Sequence, residues 1–372
     1  MTYLLMNKDT EIAIIEVEYN YATILETLQT FPPYIKNLRQ WINERISPIG
    51  RSNINSLMKL AGISCTEDYI KVSHAIDMND TFWVKELDSK LTWEKINPYI
   101  NRFSRIISEI ALNGNYYGGN LKSPSPDYTV DGSADKCWVR ENGEIYLYKT
   151  FGERFSGLTG LRPYCEYYAS QVANALISDK GHFIPYGIKV STTREGYLKG
   201  YCYCPIFTSE TYGYIPYDCS PYKGMILSEL DSNLHNRRDR EIIREMLLLD
   251  SLILNYDRHM GNYGFMVNND TYKIVGMTPI FDQDCSLGNF VPIQYKSYAD
   301  AYEMVLEKEP RTEMGDYIEQ ARWSLTKDLK QRLIDMYPFH FVRLKTNVDL
   351  DDRRIAFMEY IVNNQIKRIL QG

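Results

Sequence analysis

Asn255-Tyr-Asp-Arg-His-Met-Gly-Asn262, followed further on by Phe281-Asp282, is the stretch that decides how this chain is read. Asp257 and Asn262 sit in a loop just past a strongly apolar helical segment, and Asp282 arrives after what reads as a β-hairpin. Phosphoryl transfer from a nucleotide needs a group that takes or orients the acceptor's proton, and oxygen ligands that hold magnesium. A polyphosphate of about three to four negative charges is neither held nor attacked without such cations. Asp257 suits the first task. Asn262 and Asp282, both hard oxygen donors, suit the second. The layout predicts a kinase-type phosphoryl-transfer site.

Composition bounds the rest. The chain has 372 residues, enough for two or three structural units, with 44% hydrophobic and 24% charged residues. A net charge of −6 argues against direct nucleic-acid binding, which needs a basic surface, but permits a small basic nucleotide pocket. The seven cysteines include no Cys-x-x-Cys pair, and Cys202 and Cys204 lack neighbours that would complete a zinc site. They read as reduced thiols. The N-terminus carries no basic start followed by an apolar run, and no window reaches the ~20 apolar residues of a membrane span. A cytoplasmic protein away from the membrane is expected, with secretion by a route without a signal peptide left open.

Along the chain, residues 1–115 are expected to form a mostly helical unit of unknown role. Apolar stripes at helical spacing run through Tyr34 to Ile46, Ile54 to Leu60 and Thr92 to Leu112, with Pro98 a tolerable start or a kink. Asn113 to Pro126, rich in Gly, Asn, Ser and Pro, reads as a linker. Residues 116–208 alternate as strands around one helix that opens at Pro163, and residues 209–372 turn helical again. The expected fold is α+β and bilobal, a β-rich N-lobe before a helical C-lobe that carries the acidic motifs. Asp250 lies on the apolar helix two turns before Asp257, where a buried carboxylate needs a partner such as Arg258, His259 or loop N–H groups. It is assigned a supporting role, and Arg258 and His259 support the loop or touch phosphate.

Over residues 127–290, and most closely at Asn255 to Phe265 and Thr278 to Asp282, the chain resembles the HipA-like serine/threonine kinases, which include bacterial toxin kinases and CtkA-type kinases. The resemblance implies a bilobal protein-kinase-like fold with ATP and Mg2+ as cofactors. It makes Asp257 the catalytic residue and Asn262 and Asp282 the metal ligands. Strand residue Lys149 would take the α/β-phosphates, positioned by Glu166 at the start of the next helix. Gly132, Ser133 and Lys136 match a phosphate loop, Phe207 lies near the adenine hinge, and Thr129 stands where the family has an autophosphorylatable serine, with Ser133 second. Two departures stand out: Gln283-Asp284 follows the metal aspartate, and the N-terminal hundred residues lack a counterpart in the smaller CtkA-type proteins.

The expected activity is that of an ATP- and magnesium-dependent serine/threonine protein kinase that autophosphorylates. The resemblance extends this to the toxin of a toxin–antitoxin pair, with a translation-related protein substrate and a small DNA-binding antitoxin as partner. An Asp-Arg-His-x-x-Asn loop also occurs in phosphoinositide kinases, so a lipid or small-molecule kinase stays open. So does a nucleotide-binding interaction protein that has lost transfer.

Overall fold

The structure, a computed structural model, describes residues 1–46, 51–130, 132–151, 160–192, 198–292, 294–344 and 349–371. In chain order the strands and helices are β1 (Thr2–Asn7), β2 (Thr10–Glu18), β3 (Tyr21–Thr27), α1 (Leu38–Arg45), α2 (Ser52–Ala61), α3 (Thr66–Ser73), β4 (Phe82–Glu86), α4 (Trp93–Ile96), α5 (Arg105–Asn113), β5 (Asp135–Glu141) and β6 (Glu144–Thr150). There follow α6 (Arg162–Leu176), β7 (Gly187–Thr192), β8 (Leu198–Pro205), β9 (Tyr212–Pro216), α7 (Leu227–Asn233), α8 (Arg237–Ile253), β10 (Gly264–Asn268) and β11 (Ile274–Met277). Four more helices close the chain: α9 (Tyr298–Leu306), α10 (Tyr317–Ser324), α11 (Lys327–Asp335) and α12 (Asp352–Gln371). The fold is mixed α and β, and the ladders β1–β2, β1–β4, β2–β3 and β7–β8 are antiparallel.

The chain parts into two compact units. The first comprises Met1–Lys149, Pro205–Ile215 and Phe265–Val275. Beside the helices α1 to α5, its N-terminal part carries a sheet that the mostly helical expectation did not include: β1 to β4 form four strands in the order β3-β2-β1-β4. In β2 the side chains of Ile12, Ala13, Ile15 and Val17 are buried while Glu11, Glu16 and Glu18 are exposed, a half-buried sheet pattern rich in β-branched residues. The helix expected over Thr92 to Leu112 is broken. Asn97, the residue before Pro98, leaves the helical region at φ −53, ψ 111, and a new helix, α5, starts only at the Ser104 cap.

The expected boundary at 115/116 does not divide the molecule either. Buried hydrogen bonds carry the first unit across the Gly-rich segment. The Asp127 carboxylate accepts from the Ser108 hydroxyl on α5 at 2.6 Å and from the Trp138 N–H on β5 at 2.7 Å. Arg51 donates to the carbonyls of Ala134, at 3.1 Å, and Val130. Two distant segments join the same unit. Asn7 Nδ2 donates to the Asn269 carbonyl at 2.6 Å, and the Tyr214 N–H donates to the Asn79 carbonyl at 2.7 Å.

The second unit comprises Thr150–Cys204, Pro216–Gly264 and Gly276–Gly372. Its centre is α8, whose Ile242, Ile243, Met246, Leu247, Leu248, Leu249, Leu252 and Ile253 are all buried. Such all-round burial follows from the helices α6, α7, α10 and α12 that pack against it. Each large aliphatic side chain taken out of water stabilises this core by about 1.5–3 kcal/mol. The same helix, held from several sides, delivers the chain into the loop at Asn255. No helix of the described residues is long and apolar enough to cross a membrane.

Candidate active site

Helix α8 ends on a left-handed residue, Leu254, at φ 52 and ψ 53. A β-carbon there is strained, and burial of the side chain among core residues holds it in place. The turn sends the chain into the 255–262 loop, which is organised by one ion pair. Arg258 and Asp250, both fully buried, meet through two hydrogen bonds, Nε to Oδ2 at 2.8 Å and Nη2 to Oδ1 at 2.9 Å. Arg258 Nη1 then donates to the carbonyl of Asn262, at 2.9 Å, and to that of Phe281. One guanidinium nitrogen therefore holds the backbone at Asn262 and the residue before Asp282 to the same point. Arg258 is a support placed behind the loop, and Asp250 is its counter-ion.

Further bonds stitch the two segments together. The Tyr256 N–H donates to the Cys285 carbonyl at 3.2 Å and the Leu287 N–H to the Ile253 carbonyl at 2.7 Å. Within the loop, Asn255 links Asp250 to the Asp257 N–H, and Asn262 Nδ2 donates to the Asp257 carbonyl at 3.1 Å. With its amide nitrogen so engaged, Asn262 has Oδ1 as the atom to offer a cation. His259 is exposed, its Nδ1 accepting from the Gly261 N–H at 3.0 Å.

Asp282 is set from the other side. Ile280 pairs with residues 182–184 through two backbone bonds, and His182 is held on α8 by Glu245 at 2.6 Å. Asp282 itself adopts φ 62, a left-handed conformation that aspartate tolerates better than most residues, and its N–H donates to the Tyr186 hydroxyl at 3.2 Å. The next N–H, of Gln283, donates to Glu166 Oε2 at 2.8 Å. Glu166, Asp282 and Asp284 thus form a cluster whose ligand oxygens lie within 4.8 Å of one another. Arg162 pairs with Asp284 at 2.7 Å and stacks over the Phe151 ring at 3.9 Å.

Asp257 is half-buried, and burial raises its carboxyl above the ordinary range. Arg311 and His259 oppose that rise, and the charges of Asp284 and Asp282 add to it. Arg311 Nη1 lies 2.8 Å from Asp257 Oδ1.

In the second unit the structure brings together Asp257, Asn262, Asp282, Glu166, Asp250, Arg258 and His259. Lys149 closes the first unit, which also holds Gly132, Ser133, Lys136 and Phe207. There Gly132 has φ +93, and a β-carbon on it would stand 2.6 Å from Lys136 Nζ, so the lysine folds back over the glycine. Phe207 packs edge-on against Tyr214 at 5.7 Å. Asp131, inside the expected phosphate loop, lies outside the described residues. The two autophosphorylation candidates differ in exposure. Thr129 is buried with its hydroxyl donated to the Pro126 carbonyl at 2.6 Å, whereas Ser133 is exposed.

Three residues of the site escaped the sequence reading. Asp284 was legible as the second acid of Asp-Gln-Asp, although it stood out only as a departure from a Phe-Gly pattern. Arg162 and Arg311 gave no signal, because each reaches its carboxylate only through the fold.

No family model matches the chain, and no curated protein does. Among solved structures it is similar to the crystal structure of a Helicobacter pylori proinflammatory kinase, CtkA, with a TM-score of 0.44 and 16% identity over 63% of this chain and 91% of that one.

Proposed function

We propose that this protein is an ATP- and magnesium-dependent phosphotransferase acting on serine or threonine side chains of proteins. The observation that carries the reading is the double donation from Arg258 Nη1 to the carbonyls of Asn262 and Phe281. It joins the loop bearing an aspartate and an asparagine to the turn bearing the second aspartate, the arrangement that phosphoryl transfer uses.

The donor set suits magnesium. Asn262, Asp282, Asp284 and Glu166 offer oxygen only, as a hard cation prefers. Three carboxylates so close together repel one another, and Arg162 supplies one balancing charge. A divalent cation held by these oxygens would offset part of the remaining charge and help to neutralise phosphate oxygens. Asp257 then orients the acceptor hydroxyl and takes its proton at a carboxylate oxygen. Its raised proton affinity brings it nearer the affinity a base needs at neutral pH. Lys149, Gly132, Ser133, Lys136 and Phe207 are assigned to the nucleotide, with Lys149 on its phosphates. Glu166, bonded to the Gln283 N–H, holds the metal-bearing turn in shape. A toxin acting on a translation-related protein, paired with a DNA-binding antitoxin, is the biological setting that the HipA-like motifs suggest.

The test is Asp257→Asn. Incubation with labelled ATP, magnesium and a cell lysate should label protein with the parent and nothing with the variant, while ATP affinity stays within a few-fold. Mass spectrometry of the two proteins after expression should find phosphate on Ser133 in the parent alone. Label in lipid alone would replace the protein-kinase reading with a lipid-kinase one, and full transfer by the variant would remove Asp257 from the chemistry.

A further inference from the structure

Arg311 comes from the segment between α9 and α10, far in sequence from the loop it meets. Its neighbour Thr312 is buried and donates its hydroxyl to Gln320 Oε1. Gln320 is buried too, and its amide donates to the Leu247 carbonyl at 2.9 Å and the Ser251 hydroxyl at 3.1 Å on α8. The segment is thus braced onto the helix that delivers Asp257. Arg311 directly precedes this buried, braced neighbour, and its own side chain is 58% exposed.

The ion pair with Asp257 occupies one nitrogen of the guanidinium and one oxygen of the carboxylate. A guanidinium has five N–H donors in a planar fork, so most of its capacity to grip a carboxylate or phosphate is unspent by that contact. Around Asp257 the nearby side chains of Asp282 and Asp284 are acidic, and the phosphates of a bound nucleotide would add negative charge that repels an anionic acceptor. Arg311 is an exposed cation that opposes this beside the Asp257 carboxylate.

We propose that Arg311 is a specificity-determining residue that selects acceptor segments carrying an acidic side chain or a phosphate beside the hydroxyl to be modified. The inference rests on the phosphotransferase reading above. In the resting protein Arg311 lies on Asp257. An acceptor's anion takes over the guanidinium, so the same event binds the acceptor and releases the Asp257 oxygen for its proton. A neutral acceptor offers no such exchange and meets a base still paired with a cation. Exchange of one half-exposed carboxylate partner for another is worth little by itself, about two- to fivefold in relative rate.

The experiment uses the full chain, Mg·ATP, and two sets of serine- and threonine-containing peptides that differ only in flanking Asp/Glu or Asn/Gln. The parent should label the acidic set about two- to fivefold faster. In Arg311→Ala that ratio should fall to about one, and Arg311→Lys, which keeps the charge but loses the fork, should lie between. Equal labelling of both sets by the parent, or an acid preference that survives in Arg311→Ala, overturns the assignment of Arg311. Self-labelling by the parent with no peptide labelled at all also overturns it and leaves the phosphotransferase reading standing. A parent that labels neither itself nor any protein overturns both.

Discussion

Arg258→Met should separate what holds the second unit together from what makes its site. The substitution keeps the length and apolar stem of the side chain and removes the guanidinium. Asp250 is then left fully buried without its counter-ion, with Asn255 Nδ2 as a remaining side-chain donor at 2.9 Å. Breaking a buried ion pair from one side costs about 3–5 kcal/mol. The carbonyls of Asn262 and Phe281 lose their shared donor as well, which adds to the cost. For a unit of this size each kcal/mol lowers the melting temperature by about 2–4 °C, so a fall of ~6–20 °C is expected. The companion variant Asp250→Leu/Arg258→Met removes both charges and should regain much of that loss, because an apolar pair avoids the desolvation of two ions. It should not regain phosphoryl transfer, since nothing then ties Asn262 and the Phe281–Asp282 turn to one point. Melting followed by circular dichroism, with and without Mg·ATP, and transfer to lysate protein measure the two effects separately. A single variant that melts within 2 °C of the parent, or a double variant that transfers phosphate at the parent's rate, would refute the role given to Arg258.

Asp282→Asn keeps a residue that tolerates the left-handed backbone at φ 62 but removes the charge. It should abolish the melting-temperature gain that Mg·ATP confers on the parent, and an equal gain in both proteins would exclude Asp282 as a ligand. A second expectation concerns pH and the first unit. Burial raises the Asp127 carboxyl from 3.8 to about 6, so the folded chain binds this proton more tightly than the unfolded chain. Its contribution is favourable below pH 4 and is lost as pH rises through 6, by on the order of 3 kcal/mol. Asp127→Asn, which keeps an oxygen for the Trp138 N–H, should flatten the urea-unfolding stability between pH 4 and 6, and an unchanged slope would contradict the account.

The acid loop was legible because its chemistry is local. Asp257 and Asn262 share one short loop after a helix whose apolar sequence announces burial, and the hairpin before Asp282 is announced by Asn268-Asn-Asp270. The N-terminal sheet is also written in the chain, in the alternation of Thr10 to Glu18, a signal that a reading by helical stripes alone leaves out. The division into units was not legible. Composition marks Asn113 to Pro126 as a linker, while Ser108, Asp127 and Trp138 bond across it.

Sequence alone therefore determined the candidate base, two candidate metal ligands and the buried helix that presents them, since spacing along one segment constrains those residues directly. Tertiary structure decided which of Arg258 and His259 answers Asp250, that Asp284 and Glu166 join Asp282, that Thr129 is buried and Ser133 exposed, and that Arg311 lies on Asp257. Each of these is a contact between segments whose separation along the chain fixes neither direction nor distance. Burial, charge balance and backbone hydrogen bonding choose the partner only after the helices have packed.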